Sequence, residues 1–289
     1  LVKRSLLYHA IDTKLDGLLL MGQRGCAKST LARSFREILP PISDVQEAPF
    51  VEVPLGTTED RLLGAIDPAR LLSDGKWKVQ TGLIQQANKG VLYIDEVNLL
   101  PDHLVDSILD SASSGQHRIE RDGLSKNVSA CYILVGSMNP EEGDLRPQLT
   151  DRFVHGVIVK DDFSVEERRD IVRMRMNFDD DPSSFVQEHQ TKLEIMRDQI
   201  LQARKHLKNV KISENLRTEV AEKAVSLNLE GIRAELGIIR TARCAAALRR
   251  DVQISDDDLE EAWILCLGHR QEQATPKDRN SKLQLNFKE

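Results

Sequence analysis

Aromatic residues are scarce in this chain: two Trp, three Tyr and seven Phe amount to 4% of 289 residues. Even so, a hydrophobic fraction of 40% with 30% charged residues is ordinary for a folded domain and argues against disorder. Cysteine is equally sparse. Cys26, Cys131, Cys244 and Cys266 lie far apart without paired metal-ligand spacing, so they read as small apolar fillers in a reducing compartment. No apolar run approaches the roughly 20 residues that span a bilayer, and the first residues do not form an export signal, so a cytoplasmic protein without a membrane span is expected. Positive charge is not in excess either. Forty Lys and Arg stand against 46 Asp and Glu, a net charge of −6 that argues against nucleic acid as the main partner.

What the chain does have is length for a large domain and a smaller one. Short apolar runs at Leu18 to Met21, Phe50 to Val53, Val91 to Ile94, Tyr132 to Val135 and Val157 to Val159 alternate with helical patterns. This predicts an α/β fold with a five-stranded parallel sheet covered by helices on both faces. One covering helix follows Lys28 and another runs from Pro101 to Ser114, with Gly115 after its end. Two segments with polar alternation, KWKVQTGLI at 76–84 and HRIERDGLSKNV at 117–128, are expected to be hairpins projecting from the sheet.

Strand signals stop beyond Phe163, and DDDPSS from Asp179 reads as a polar break. Leu193, Met196, Ile200 and Leu207 share one helical face, as do Leu216, Val220, Ala224 and Leu227. Further helices at about Arg233 to Arg249 and Asp256 to Arg270 complete a small bundle, with Asp256 to Asp258 as N-terminal helix charge rather than a metal site. The expected organisation is an α/β nucleotide-binding domain at 1–165, a connecting segment and long helix at 166–209, a helical lid at 210–270 and a polar tail at 271–289.

The chemistry concentrates in three places. GQRGCAKST comprises Gly22, Gln23, Arg24, Gly25, Cys26, Ala27, Lys28, Ser29 and Thr30, between a strand and a helix. That is the context of a phosphate-binding loop: glycines let backbone N–H groups turn inward, Lys28 reaches the β and γ phosphates, and Ser29 ligates magnesium. Ala27 stands where glycine is usual. GVLYIDEV then ends a buried strand in two acids, so that Asp95 can hold magnesium and Glu96 polarise water. Adjacent carboxylates are costly at the end of a buried strand unless they serve chemistry. CYILVGS leads to Asn139, which can orient that water, and LRPQLTDRF supplies Arg146 and Arg152 as alternative cations for the γ phosphate.

Taken together, LYIDEVNLLPDHLVDSILD, SGQHRIERDGLS, VGSMNPEEGDLRPQLTDRF and EGIRAELGIIRTAR make the chain resemble the small, I-type AAA+ ATPase subunit of magnesium chelatase, from about Leu18 to Arg270. The resemblance implies sensor 1 at Asn139, an arginine finger offered to a neighbouring subunit at Arg152, and the sensor 2 arginine at Arg233. It also implies a homo-hexameric ring using ATP and Mg2+, a D-type partner with a von Willebrand A domain, and a large porphyrin-binding subunit. The location becomes the plastid stroma in a photosynthetic eukaryote. The expected function is a magnesium-dependent ATPase driving magnesium insertion into protoporphyrin IX. The alternatives are a MoxR-like chaperone ATPase remodelling another metal-cofactor protein, and a nucleotide-binding scaffold with little hydrolysis.

Overall fold

A computed structural model describes residues 1–43, 45–66, 79–121, 124–143, 145–159, 162–229 and 231–272. The strands are β1 (Leu18–Met21), β2 (Phe50–Val53), β3 (Gly64–Ile66), β4 (Val79–Thr81), β5 (Val91–Ile94), β6 (Gln116–Arg121), β7 (Leu124–Ser129), β8 (Ile133–Met138) and β9 (His155–Ile158). Five of them form one sheet in the order β2-β5-β8-β1-β9, with every pairing parallel. β1, β5 and β8 are buried along their whole length, because helices cover both faces of a parallel sheet.

Side chains alternate between those faces. Leu18, Leu20, Tyr93, Ile133 and Val135 join one core with Ala32 and Phe35 of the helix Lys28–Ile38. Leu19, Met21, Leu92, Ile94 and Leu134 join the other with Leu104, Val105, Ile108 and Leu109 of the helix Asp102–Ser114. Phe35 is 1% exposed, so its burial stabilises the seating of the Lys28–Ile38 helix by about 1.5–3 kcal/mol.

The two expected hairpins come out differently. β6 and β7 pair antiparallel from Gln116↔Ser129 to Arg121↔Leu124, as the alternation predicted, while Asp122 and Gly123 lie outside the described residues. The segment 76–84 is not a hairpin. Residues 76–78 lie outside the described residues, β4 pairs with the distant β3, and Leu83 and Ile84 are buried in the helix Leu83–Gln86.

The expected connecting segment is also corrected, because it is a helix, Val165–Asp180. Ser164 and Glu167 start it with reciprocal hydrogen bonds between side chain and backbone, at 3.2 and 2.8 Å. Arg173–Asp170 and Arg175–Asp179 pairs line its surface. It buries no residue, and its Ile171, Val172, Met174 and Met176 remain exposed. Asp181 caps the next helix, Pro182–His206, through the Ser184 N–H.

The helices Glu214–Ser226, Arg233–Leu248 and Asp256–Glu272 follow where the periodicity placed them, and residues 273–289 of the expected tail lie outside the described residues. Asp258 does more than charge a helix end: it is 2% exposed and paired with Arg249. The last helix packs on β9, where the His269 ring lies 2.2 Å from the place a Cβ on Gly156 would occupy. His155 of β9 joins Ser5 Oγ at 2.8 Å and Thr241 Oγ1 at 2.7 Å, linking the helix Val2–Ile11, the sheet and the lid. Burial pushes the His155 pKa well below the ordinary histidine value, with His9 and His269 adding to the shift.

Three cysteines are buried as expected, but Cys131 is exposed, because it leaves the β6–β7 hairpin at the surface before β8 begins. Among the described residues no helix is long and apolar enough to cross a membrane.

Candidate functional site

Strand register alone assembles most of the site. β1 and β5 flank β8, with Met21 beside Met138 and Ile94 beside Gly136. All three strands run the same way, so the residues after them emerge at one edge. The loop beginning at Gly22, the acids Asp95 and Glu96, and Asn139 are thereby brought together, as the motifs required.

The loop Gly22 to Ala27 enters the helix Lys28–Ile38 through a left-handed residue, Ala27, at φ 63° and ψ 23°. A Cβ on Gly22 would lie 2.6 Å from the Val159 carbonyl oxygen, and Gly25 has φ +90°, so both positions call for glycine. Ala27 carries no side-chain acceptor, which leaves the first-turn amides and the positive end of the helix to an anion. Lys28 is 9% exposed and donates from Nζ to the Gly22 and Gln23 carbonyls at 2.5 and 2.8 Å, holding its ammonium inside the loop. Gln23, Arg24, Gly25 and Thr30 are exposed, and Cys26 is buried with Sγ 3.7 Å from Lys28 Nζ.

Ser29 and Asp95 face each other, with Ser29 Oγ 3.5 Å from Asp95 Oδ2. Two groups that the motif reading did not single out hold them. Tyr93 Oη lies 2.8 Å from Asp95 Oδ1, 3.2 Å from Ser29 Oγ and 3.1 Å from Ser137 Oγ. Ser137 donates to Asp95 Oδ1 at 2.6 Å and accepts from the Glu96 N–H at 3.1 Å. Burial raises the Tyr93 pKa to about 12, so the phenol keeps its proton. Alternation was the available signal, since Tyr93 lies two residues before Asp95, and Ser137 two before Asn139, on the same strand faces.

Glu96 has φ 54°, a left-handed conformation for a non-glycine residue, held by the Ser137 hydrogen bond and the following turn. Such strain at a carboxylate is typical of a side chain aimed by its surroundings. Asn139 is 4% exposed, and its Oδ1 accepts the Glu141 N–H at 3.2 Å. Glu141 in turn accepts from Gln23 Nε2 at 3.1 Å, closing one wall of a cleft of about 480 Å³ lined by Gly22, Cys26, Asn139 and Val159.

The arginines lie elsewhere. Arg152 precedes β9, at the edge of the sheet opposite the loop, and pairs with Asp110 at 2.5 Å and Asp106 at 3.8 Å. Arg146 pairs with Asp102. Arg233 opens its helix beside a second cleft, of about 540 Å³, lined by Leu15, Asp16, Asp151 and Arg240 among others. Leu15 and Asp16 come before β1, whereas the phosphate loop comes after it. The structure therefore brings neither Arg152 nor Arg233 to the loop of their own chain.

For a metal, Ser29 and Asp95 offer two hard oxygen donors. Among the described residues no three His, Cys, Asp or Glu side chains converge on a metal position. Such a pair suits magnesium, which takes one or two protein oxygens and completes its shell with phosphate oxygens and water.

Comparison with known proteins agrees with this architecture. Residues 17–153 match the AAA domain model of the dynein-related subfamily, and residues 217–285 match an AAA lid domain. The chain is 40% identical to the magnesium-chelatase 38 kDa subunit of Rhodobacter capsulatus over 93% of this chain and 84% of that protein. It is 37% identical to the magnesium-chelatase subunit ChlI of Synechocystis sp. over 99% and 90% of the two chains. Among solved structures, it is similar to a chain from a cryo-EM-based model of the complex between subunits BchI and BchD of magnesium chelatase. The TM-score is 0.55 at 39% identity, covering 93% of this chain and 92% of that one. A phosphate loop, an acid pair and a helical lid, in a chain this close to those relatives, show that it belongs to the AAA ATPase family of the magnesium-chelatase 38 kDa and ChlI subunits.

Proposed function

We propose that this chain forms a homo-hexameric ring that hydrolyses ATP to ADP and phosphate and so drives magnesium insertion into protoporphyrin IX. It acts alongside a D-type subunit with a von Willebrand A domain and a large porphyrin-binding subunit. Residues 1–165 serve as the nucleotide domain and 210–270 as the lid. The similarity to a BchI–BchD complex supports the D-type partner.

In this reading the loop amides and Lys28 hold the β and γ phosphates, and Ser29 and Asp95 hold Mg2+. When bound, that ion neutralises phosphate charge. Glu96 orients and polarises the attacking water, Asn139 holds the water in line, and Arg152 and Arg233 come from the neighbouring subunit. The observation that carries the ring is the placement of both arginines at the edge of the sheet away from their own phosphate loop. A site that needs them is completed only by a second copy.

Glu96→Gln tests the chemistry. The variant is expected to bind ATP with unchanged affinity and to lose hydrolysis by about 10²–10⁴-fold, measured as phosphate release. Retained turnover would remove Glu96 from its role.

A further inference from the structure

We infer that Tyr93 is a positioning residue that sets the direction in which Asp95 faces the metal. This rests on the nucleotide-site reading above and extends it to a residue outside the loop and the acid pair.

The inference follows from counting protons and lone pairs. The Tyr93 phenol has one proton and three oxygen neighbours within 3.2 Å. A carboxylate only accepts, so the closest contact, Asp95 Oδ1 at 2.8 Å, takes that proton. Ser137 gives its single proton to the same oxygen at 2.6 Å. Asp95 Oδ1 thus receives two donors, which fixes the rotation of the carboxylate and leaves Oδ2, the oxygen on the Ser29 side, for the cation. Ser29 gives its own proton to Asp95 Oδ2 at 3.5 Å, and its Oγ lies 3.2 Å from the phenol oxygen on the acceptor side of that contact, so Tyr93 borders both groups.

Tyr93 can hold this direction because it is itself held. Its ring is fully buried and stacks on Phe50 of β2, with centroids 5.8 Å apart and planes 26° apart. One rigid ring therefore orients Asp95, just after β5, and lies against Ser29 of the loop helix. Outer partners of this kind tune affinity for a metal without touching it.

Tyr93→Phe keeps the ring and removes the hydroxyl. Titration with a fluorescent ATP analogue, in EDTA and across a Mg2+ series, separates the outcomes. The variant is expected to match the wild type in EDTA to within about twofold and to need about tenfold more Mg2+ to reach half of the magnesium-dependent gain in affinity. Weakened binding in EDTA and a lower thermal midpoint, with an unshifted Mg2+ midpoint, would mean that Tyr93 is only structural and would overturn the inference.

Ser137→Ala removes the other donor to Asp95 Oδ1 and is expected to shift the Mg2+ midpoint in the same direction. It decides the matter if Tyr93→Phe does not fold, an unshifted midpoint again refuting the inference. A wild-type protein whose nucleotide affinity gains nothing from Mg2+ would instead sink the nucleotide reading itself.

Discussion

Replacing Ala27 by glycine should make the protein slightly more stable while leaving nucleotide affinity almost unchanged. Ala27 sits at φ 63° and ψ 23°, where the Cβ of an L-residue crowds the backbone at a cost of about 1–2 kcal/mol. Glycine removes that cost in the folded state but widens the unfolded ensemble by about 0.4–1 kcal/mol. The midpoints leave a net gain of about 0.8 kcal/mol, which for a chain of this size is a rise in thermal midpoint of roughly 2 °C.

The loop already adopts the left-handed turn that aims its amides inward, so the change adds no new cradle. Affinity for ATP should therefore move by less than about threefold, or ~0.65 kcal/mol. Scanning calorimetry without nucleotide reads the first quantity and an ATP titration the second. A fall in thermal midpoint would refute the assignment of strain to Ala27. A tenfold or larger gain in affinity, about 1.4 kcal/mol, would show that the methyl crowds the phosphates and would favour the poorly hydrolysing scaffold over the motor.

Arg152→Ala should cost less than about 1 kcal/mol of monomer stability, because its pairs with Asp110 and Asp106 are partly exposed, yet it should reduce ring-dependent hydrolysis by about 10³-fold or more. Phosphate release followed against protein concentration tests this, and hydrolysis that is independent of both concentration and Arg152 would refute it. Stability should also fall with acid. His155 is kept neutral by burial in the folded state, whereas the unfolded chain takes up its proton below about pH 6.5. The stabilisation is complete above that pH and is lost as pH falls, with a slope of up to about 1.4 kcal/mol per pH unit. Thermal midpoints at pH 7.5 and 5.5 should show the decline and His155→Gln should lessen it; equal slopes would remove His155 from the account.

The sheet was legible because its central strands are buried on both faces, so that β1 and β5 read as uninterrupted apolar runs. Leu18 to Met21, Phe50 to Val53 and Val91 to Ile94 coincide with observed strands. The helix Val165–Asp180 was not legible, since it is stabilised by its cap and by Arg–Asp pairs rather than by a buried stripe. β3 was missed for another reason: pairing Gly64–Ile66 with Val79–Thr81 is a long-range choice that no local pattern in three residues records. In the site, motifs named the loop, the acid pair and Asn139 that the strand order brings to one edge, whereas Tyr93 and Ser137 belong to no motif and were visible only through strand alternation.

The position of Arg152 is the instructive case, because topology dictates it. Asn139 and Arg152 stand 13 positions apart, one just after β8 and the other shortly before β9. Both strands run in the same direction in one sheet, so the chain that leaves β8 at its far edge must return to the near edge before β9 can start. Strands of four to six residues at ~3.3 Å per residue place those edges ~13–20 Å apart. An arginine just before β9 is thereby carried away from the phosphates that Asn139 faces, whatever its side-chain rotamer. The lid adds to the separation: Gly237 lets its helix press on Val154, where a Cβ would come within 2.3 Å, and this seats Arg233 at the same edge as Arg152. Within one chain, then, neither arginine reaches the loop, and this placement is what supports the proposal of a finger offered to a neighbouring copy.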